Sequence, residues 1–113
     1  MANAIDMADG SHLGLGEVAT AITTDGNYPS ASGVGYPGPE WEFACTGTFD
    51  GATFTLQTKT TGHSNWRDVI AFTAANARLL DIVDGDSLRV TVTDDGASTS
   101  VQSTLTEKRG NHQ

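Results

Sequence analysis

The chain has 113 residues, of which 18% are charged, and 14 acidic against 6 basic residues give it a formal net charge of −8. This balance excludes non-specific binding to nucleic acid or anionic membranes, because both need clustered Lys and Arg side chains. The length predicts one domain with a modest core. No Lys or Arg precedes Lys59, and no apolar run approaches the roughly 20 residues of a membrane-spanning helix. The first ten residues lack the basic and apolar regions of a signal peptide.

Residues 1–38 are rich in Gly and Pro. This composition predicts an N-terminal arm with a loop, or an edge strand with a loop. Alternation of larger and smaller side chains predicts one strand in it, near residues 18–24. Two tyrosines follow in the turn-rich part, where aromatic side chains often belong to binding surfaces but could equally pin the loop to the domain. The candidate partner-binding residues of this segment are Val18, Ile22, Tyr28 and Tyr36.

Residues 39–106 predict an all-β domain, because short alternating segments recur between Gly- and Asp-rich turns. The predicted strands lie at residues 41–46, 52–57, 66–72, 79–83, 88–93 and 101–105. Residues 73–78 have some helical propensity but are too few for a stable helix. The predicted fold is a small antiparallel β-sandwich, or a β-barrel, of about seven or eight short strands with the N-terminal arm. Residues 107–113 are predicted to be a polar tail.

Two Asp-containing turns, at residues 50–51 and 94–96, each separate two predicted strands and therefore predict hairpins. Trp41 and Trp66 occupy strand positions and are predicted to lie in the core. Cys45 is the one cysteine of the chain, so no internal disulfide can form, and it is predicted to be a small buried hydrophobe.

Catalytic and metal-binding patterns are weak, which predicts a protein without enzymatic activity or cofactor. His63, near Ser64 and Asp68, is predicted to be a solvated turn residue and not a triad member. Glu40 and Glu42 share one side of a strand and are predicted to face solvent. Five aspartates offer oxygen ligands for calcium if two turns converge, although turn formation explains them better. They are Asp81, Asp84, Asp86, Asp94 and Asp95.

Three groups of residues between positions 47 and 105 follow a recurring order. The first group is Gly47, Phe49, Gly51, Ala52, Leu56 and Gln57; the second is Trp66, Asp68 and Val69; the third is Gly85, Leu88, Arg89, Val92 and Thr93. This order resembles a loose family of small β-sandwich proteins that are encoded with the structural genes of tailed bacteriophages. The matched region covers about half of the chain, and most matched positions are of the core or turn type.

The resemblance implies a non-enzymatic virion protein made in the host cytoplasm. Such a protein would bind the outer surface of the capsid and stabilise it as a decoration (cement) protein, or serve as a head fibre or tail component. The implied partner is the major capsid protein, with self-association around local symmetry axes. An alternative from the residues alone is a carbohydrate-binding or adhesin module, which predicts that Trp41 or Trp66 is exposed beside Asp or Asn.

Overall fold

A computed structural model describes residues 4–14, 16–29, 40–60, 62–80 and 85–107, with the backbone alone at 85 and 86. These residues form nine strands and no helix. The strands are β1 (Ala4–Asp6), β2 (His12–Leu13), β3 (Gly26–Tyr28), β4 (Trp41–Thr48), β5 (Thr53–Thr60), β6 (Trp66–Phe72), β7 (Asn76–Leu80), β8 (Gly85–Thr93) and β9 (Ser100–Glu107). Within these ranges no helix is present that could cross a membrane.

The strands form two antiparallel sheets, which confirms the predicted all-β sandwich. One sheet has five strands in the order β2-β1-β9-β4-β7, and the other has four in the order β3-β8-β5-β6. Alternate side chains of both sheets meet in one core, because successive residues of a strand face opposite sides. The rings of Phe43 from the first sheet and Phe72 from the second stack with centroids 5.0 Å apart. Trp41 is fully buried in this core, as predicted.

The first Asp-Gly turn is tight, but the hairpin predicted from it is wrong. The Ala52 N–H donates to the Phe49 carbonyl (2.9 Å), and Asp50 and Gly51 have positive φ angles of 49° and 89°. However, β4 belongs to the five-stranded sheet and β5 to the four-stranded sheet. Phe49 and Ala52 are both buried, so the chain passes over the edge of the core between the sheets. The turn at residues 94–96 joins β8 to β9 in the same way, and its predicted hairpin is wrong for the same reason.

Four connections between the sheets lie at one end of the sandwich, which we call the crossover end. They are residues 23–25, 49–52, 73–75 and 94–99. The first and the last are joined by two reciprocal hydrogen bonds. The Asp95 N–H donates to Asp25 Oδ1 (2.9 Å), and the Asp25 N–H donates to Asp95 Oδ2 (3.3 Å).

The second and fourth connections are also joined to each other. The Ser98 N–H donates to Asp50 Oδ2 (2.8 Å), and the Thr99 hydroxyl donates to the Phe49 carbonyl (2.8 Å). A Cβ atom at Gly96 would collide with the Asp50 carboxylate. The close approach of these two connections therefore requires glycine at position 96.

The described part of residues 1–38 contributes strands to both sheets, among them the edge strands β2 and β3, and in this it follows the edge-strand alternative and not the projecting arm. β1 pairs with β9, and β3 pairs with β8 at the edge of the other sheet. Ile5 and Met7 are buried in the core. The strand predicted near residues 18–24 is reduced to one bridge, between Ile22 and Val101. The sandwich is thus built from residues on both sides of the predicted boundary at 38/39.

Two further differences concern the middle of the chain. Residues 76–80 form the strand that was predicted at 79–83, and they pair with β4; residues 81–84 lie outside the described ranges. Leu56 of β5 pairs with Ile70 of β6, whereas the next residue, Gln57, pairs with Asp68. Val69 is therefore an extra residue of β6 and forms a β-bulge. The bulge turns Trp66 and Asp68 to the outer face of the sheet. Trp66 is therefore half-buried on that face, and its predicted place in the core is wrong.

Candidate functional site

A pocket of about 550 Å³ lies between β1, β2 and the segment that follows β2. Its lining residues are Asp6, Asp9, Ser11, His12, Leu13, Gly16, Glu17, Val18 and Thr20. Three carboxylates and one histidine are thus the titratable groups of the pocket. Among the lining residues that the structure describes, none is Lys or Arg, so the charged side chains of the lining are acidic apart from His12.

Asp6 holds the walls of this pocket together. Its side chain is 2% exposed, and both carboxylate oxygens accept backbone hydrogen bonds. The Ala8 N–H donates to Oδ1 and the Thr20 N–H donates to Oδ2, each at 2.9 Å. The Gln102 amide donates to the Ala19 carbonyl (2.7 Å) and fixes the same segment to β9. A buried carboxylate with these partners gives the segment a defined position over the sheet.

The carboxylates at the rim of the pocket organise its loops. The Ser11 hydroxyl donates to Asp9 Oδ1 (2.7 Å), and so does the Ser11 backbone N–H (2.9 Å). These bonds, with that from the hydroxyl first, lower the pKa of Asp9 below its ordinary value. The Gly14 N–H donates to Glu17 in the same manner. The pocket therefore presents negative charge to a ligand or partner.

The structure separates the four candidate partner-binding residues. Val18 is 76% exposed at the pocket. Ile22 is 2% exposed and packs in the core. Its side chain is therefore not available to a partner, although the sequence analysis predicted a partner-binding role. Tyr28 packs against the core, and its hydroxyl donates to the Thr24 carbonyl (2.7 Å). Tyr36 lies outside the described residues.

A second cluster, which we call the Trp66 cluster, lies on the outer face of the four-stranded sheet. Arg89 Cζ lies 4.3 Å and Lys59 Nζ 5.5 Å from the centroid of the Trp66 ring. Arg89 Nε donates to Gln57 Oε1 (2.9 Å), and Gln57 Nε2 donates to Asp68 Oδ1 (2.8 Å). Burial lowers the pKa of Arg89, which nevertheless stays cationic at neutral pH. The cluster joins three neighbouring strands through planar, mutually oriented side chains.

Four members of the sequence pattern that resembles the phage family meet in this cluster, namely Gln57, Trp66, Asp68 and Arg89. Sequence reasoning matched these positions but missed that they meet, because the β-bulge at Val69 reverses the expected alternation. The carbohydrate-binding alternative predicts an exposed Trp beside Asp or Asn, whereas Trp66, which shares this face with Asp68, is half-buried. The Arg89 guanidinium also lies over the ring on which a sugar would stack.

The residues that were weighed as catalytic or metal-binding candidates are not brought together within the described ranges. His63 and Ser64 are exposed in a turn, while the Asp68 carboxylate accepts a hydrogen bond from Gln57. No group of three or more His, Cys, Asp or Glu residues there has the geometry to hold a metal ion. Asp94 and Asp95 lie at the crossover end; Asp81 and Asp84 fall outside the described residues, as does the side chain of Asp86.

Cys45 is fully buried, as predicted. Burial raises the pKa of its thiol to about 12, against a smaller opposing effect of the hydrogen bond with the Ser103 hydroxyl. A thiol with this pKa is protonated at neutral pH and is not a nucleophile.

No model of a known protein family matches the chain, and a comparison with curated proteins likewise finds no match.

Proposed function

We propose that this protein is a non-enzymatic virion protein that binds the outer surface of a phage capsid and stabilises the shell. The observation that carries the proposal is the acidic pocket beside the exposed side chain of Val18. A surface of this kind fits a partner that presents a basic side chain next to a small apolar contact. The resemblance to phage structural proteins supplies the class of partner, which is the major capsid protein.

Two properties of the fold support a stabilising role. The pocket is held by the buried Asp6 carboxylate and by hydrogen bonds to β9, so little conformational entropy would be lost on binding. A protein that binds the assembled shell and not its dissociated subunits stabilises the shell by mass action. Many copies on one shell would add to this effect.

The proposal is tested by co-sedimentation with empty shells assembled from the major capsid protein of the same genome. Val18→Arg places a bulky cation at the rim of the acidic pocket. We expect it to weaken binding at least about tenfold, because it removes the apolar contact and repels a basic partner. The melting temperature should stay close to that of the wild type, because Val18 is largely exposed.

Leu79→Arg is the matched control. Leu79 is the other large hydrophobic side chain that is exposed in the described ranges, at 54%, and it lies on β7 at the opposite edge of the five-stranded sheet. This variant carries the same charge change and should bind shells like the wild type. Absence of wild-type binding to shells would refute the proposed function, whereas loss of binding in Leu79→Arg alone would refute the role of the pocket.

The carbohydrate-binding alternative stays a prediction. Oligosaccharide binding at the Trp66 cluster tests it. A sugar could stack on Trp66 only if the Arg89 guanidinium moved away from the ring. Binding of oligosaccharides should then change the fluorescence of Trp66, and Trp66→Phe should abolish the change. An unchanged spectrum across a panel of oligosaccharides would count against this alternative.

A further inference from the structure

The Trp66 cluster places two cations on the outer face of the four-stranded sheet, at the end opposite to the crossover end. Lys59 and Arg89 both lie against the Trp66 ring. The hydrogen bond from Arg89 to Gln57 holds the guanidinium beside the Trp66 ring. Trp and Arg side chains of this kind are the residues that contribute most to protein–protein interfaces. The Asp68 carboxylate lies in the same cluster, so Lys59, Arg89 and Asp68 together carry one net positive charge. In a chain with a net charge of −8, even this local positive charge makes the cluster a distinct surface.

The other end of the same sheet is acidic. Asp25, Asp94 and Asp95 lie on connections at the crossover end, and Asp50 lies beside them on a third. Backbone N–H groups hold the carboxylates of Asp25 and Asp95 in place. All four residues are exposed. Hydrogen bonds to backbone N–H groups thus position the carboxylates of Asp25, Asp50 and Asp95 on this acidic surface.

The strand register gives the separation of the two surfaces. Thr53 of β5 pairs with Thr93, next to the acidic turn, whereas Lys59 pairs with Ser87 in the Trp66 cluster. Six residues of extended chain span about 20 Å. At physiological ionic strength the Debye length is about 8 Å. A docking surface therefore responds mainly to the charges of the cluster that it meets, and less to the net charge of the whole copy.

We propose that the Trp66 cluster of one copy binds the acidic crossover end of a second copy, head to tail. The two surfaces are complementary in charge and lie at opposite ends of one sheet, so each copy can use both at once. A contact between two different surfaces propagates to a closed ring or to an open filament. The contact needs no capsid, so its failure and the failure of shell binding are separate results.

Sedimentation velocity of the full chain without shells tests the proposal, at protein concentrations up to about 1 mM to detect weak contacts. The wild type should associate in a concentration-dependent manner. Lys59→Glu alters the cationic surface, and the triple variant Asp25→Asn, Asp94→Asn, Asp95→Asn neutralises the acidic one while it keeps an oxygen acceptor for the backbone. Each variant alone should associate at least about tenfold more weakly.

A mixture of the two variants gives the sharpest result. Each variant retains one intact surface, so the mixture should form a one-to-one pair and no larger species. Arg78→Glu on β7 of the other sheet and Asp9→Asn at the N-terminal pocket are the matched controls, and both should associate like the wild type. Thermal unfolding of each variant checks that it is folded, and Arg89→Glu is a second variant of the cationic surface.

Three results would overturn the proposal. The first is a wild type that stays monomeric over the whole concentration range. The second is equal loss of association in the controls. The third is a mixture that forms no pair although each variant is impaired, because a head-to-tail contact requires the intact cationic surface of one variant to bind the intact acidic surface of the other.

Discussion

Gly47 lies on β4 opposite Val101, where the backbone of the neighbouring strand comes very close. Its φ is 136°, and a Cβ atom built there would collide with the Ser100 carbonyl. We expect Gly47→Ala to lower the free energy of unfolding by at least about 2 kcal/mol, since it combines backbone strain with a clash. Urea denaturation followed by tryptophan fluorescence measures the change.

Gly62 provides the control for this prediction. Its φ is also positive, at 88°, but no atom lies within 4 Å of the position of a Cβ atom. Gly62→Ala should therefore cost only the conformational strain, about 1 kcal/mol. Equal losses in the two variants would mean that the contact with Ser100 contributes nothing.

The buried thiol of Cys45 makes the stability depend on pH. Its pKa is about 12 in the folded protein, against 9.0 for an exposed thiol. The folded state therefore keeps the proton in a range where the unfolded chain loses it. The resulting stabilisation is complete below pH 9.0 and is lost as the pH rises towards 12, at up to about 1.4 kcal/mol per pH unit.

Cys45→Ala removes this contribution, so its free energy of unfolding should fall less steeply than that of the wild type above pH 9.0. Urea denaturation at a series of pH values measures both slopes, and other groups that titrate in this range cancel in the comparison. Parallel slopes for the two proteins would contradict the burial of the thiol.

Among the elements, the N-terminal segment that contains β1 is part of the core, so removing it should destabilise the protein. Met7 is fully buried and its N–H donates to the Ser103 carbonyl (2.9 Å). We expect Met7→Ala to lower the free energy of unfolding by about 2–4 kcal/mol. Val18→Ala in the same segment should change it by no more than about 0.5 kcal/mol. Chemical denaturation of both variants checks this, and a small effect for Met7→Ala would mean that the segment is a dispensable arm after all.

The individual elements also differ in how far sequence could predict them. β6 lies at the predicted residues 66–72, and β8 extends the predicted strand at 88–93, where apolar and polar side chains alternate strongly. β1 and β2 have three and two residues, too few for a pattern. Residues 76–78, which had some helical propensity, are a strand because they pair with the edge of β4. Long-range pairing overrides local preference there.

At the scale of the whole molecule, sequence patterns predicted the fold class but not the topology. An Asp-Gly turn indicates where the chain reverses, and it does not reveal whether the next strand stays in the same sheet. That choice depends on partners far along the chain, such as Ala4 opposite Thr106. The candidate sites were hidden for the same reason. The acidic pocket needs β1 docked on β9, and the Trp66 cluster needs one extra residue in β6.

The joined connections at the crossover end have a consequence for how the native protein opens. Hydrogen bonds link three of the four connections there, so the two sheets cannot part at that end without breaking all of them. Partial opening should therefore start at the end of the sandwich opposite to the crossover end. In native-state hydrogen exchange we expect the amides of Val92 and Val101 to exchange only by global unfolding. The amides of Leu88 and Leu105 should exchange faster, through partial openings in which the hydrogen bonds of the crossover end stay intact.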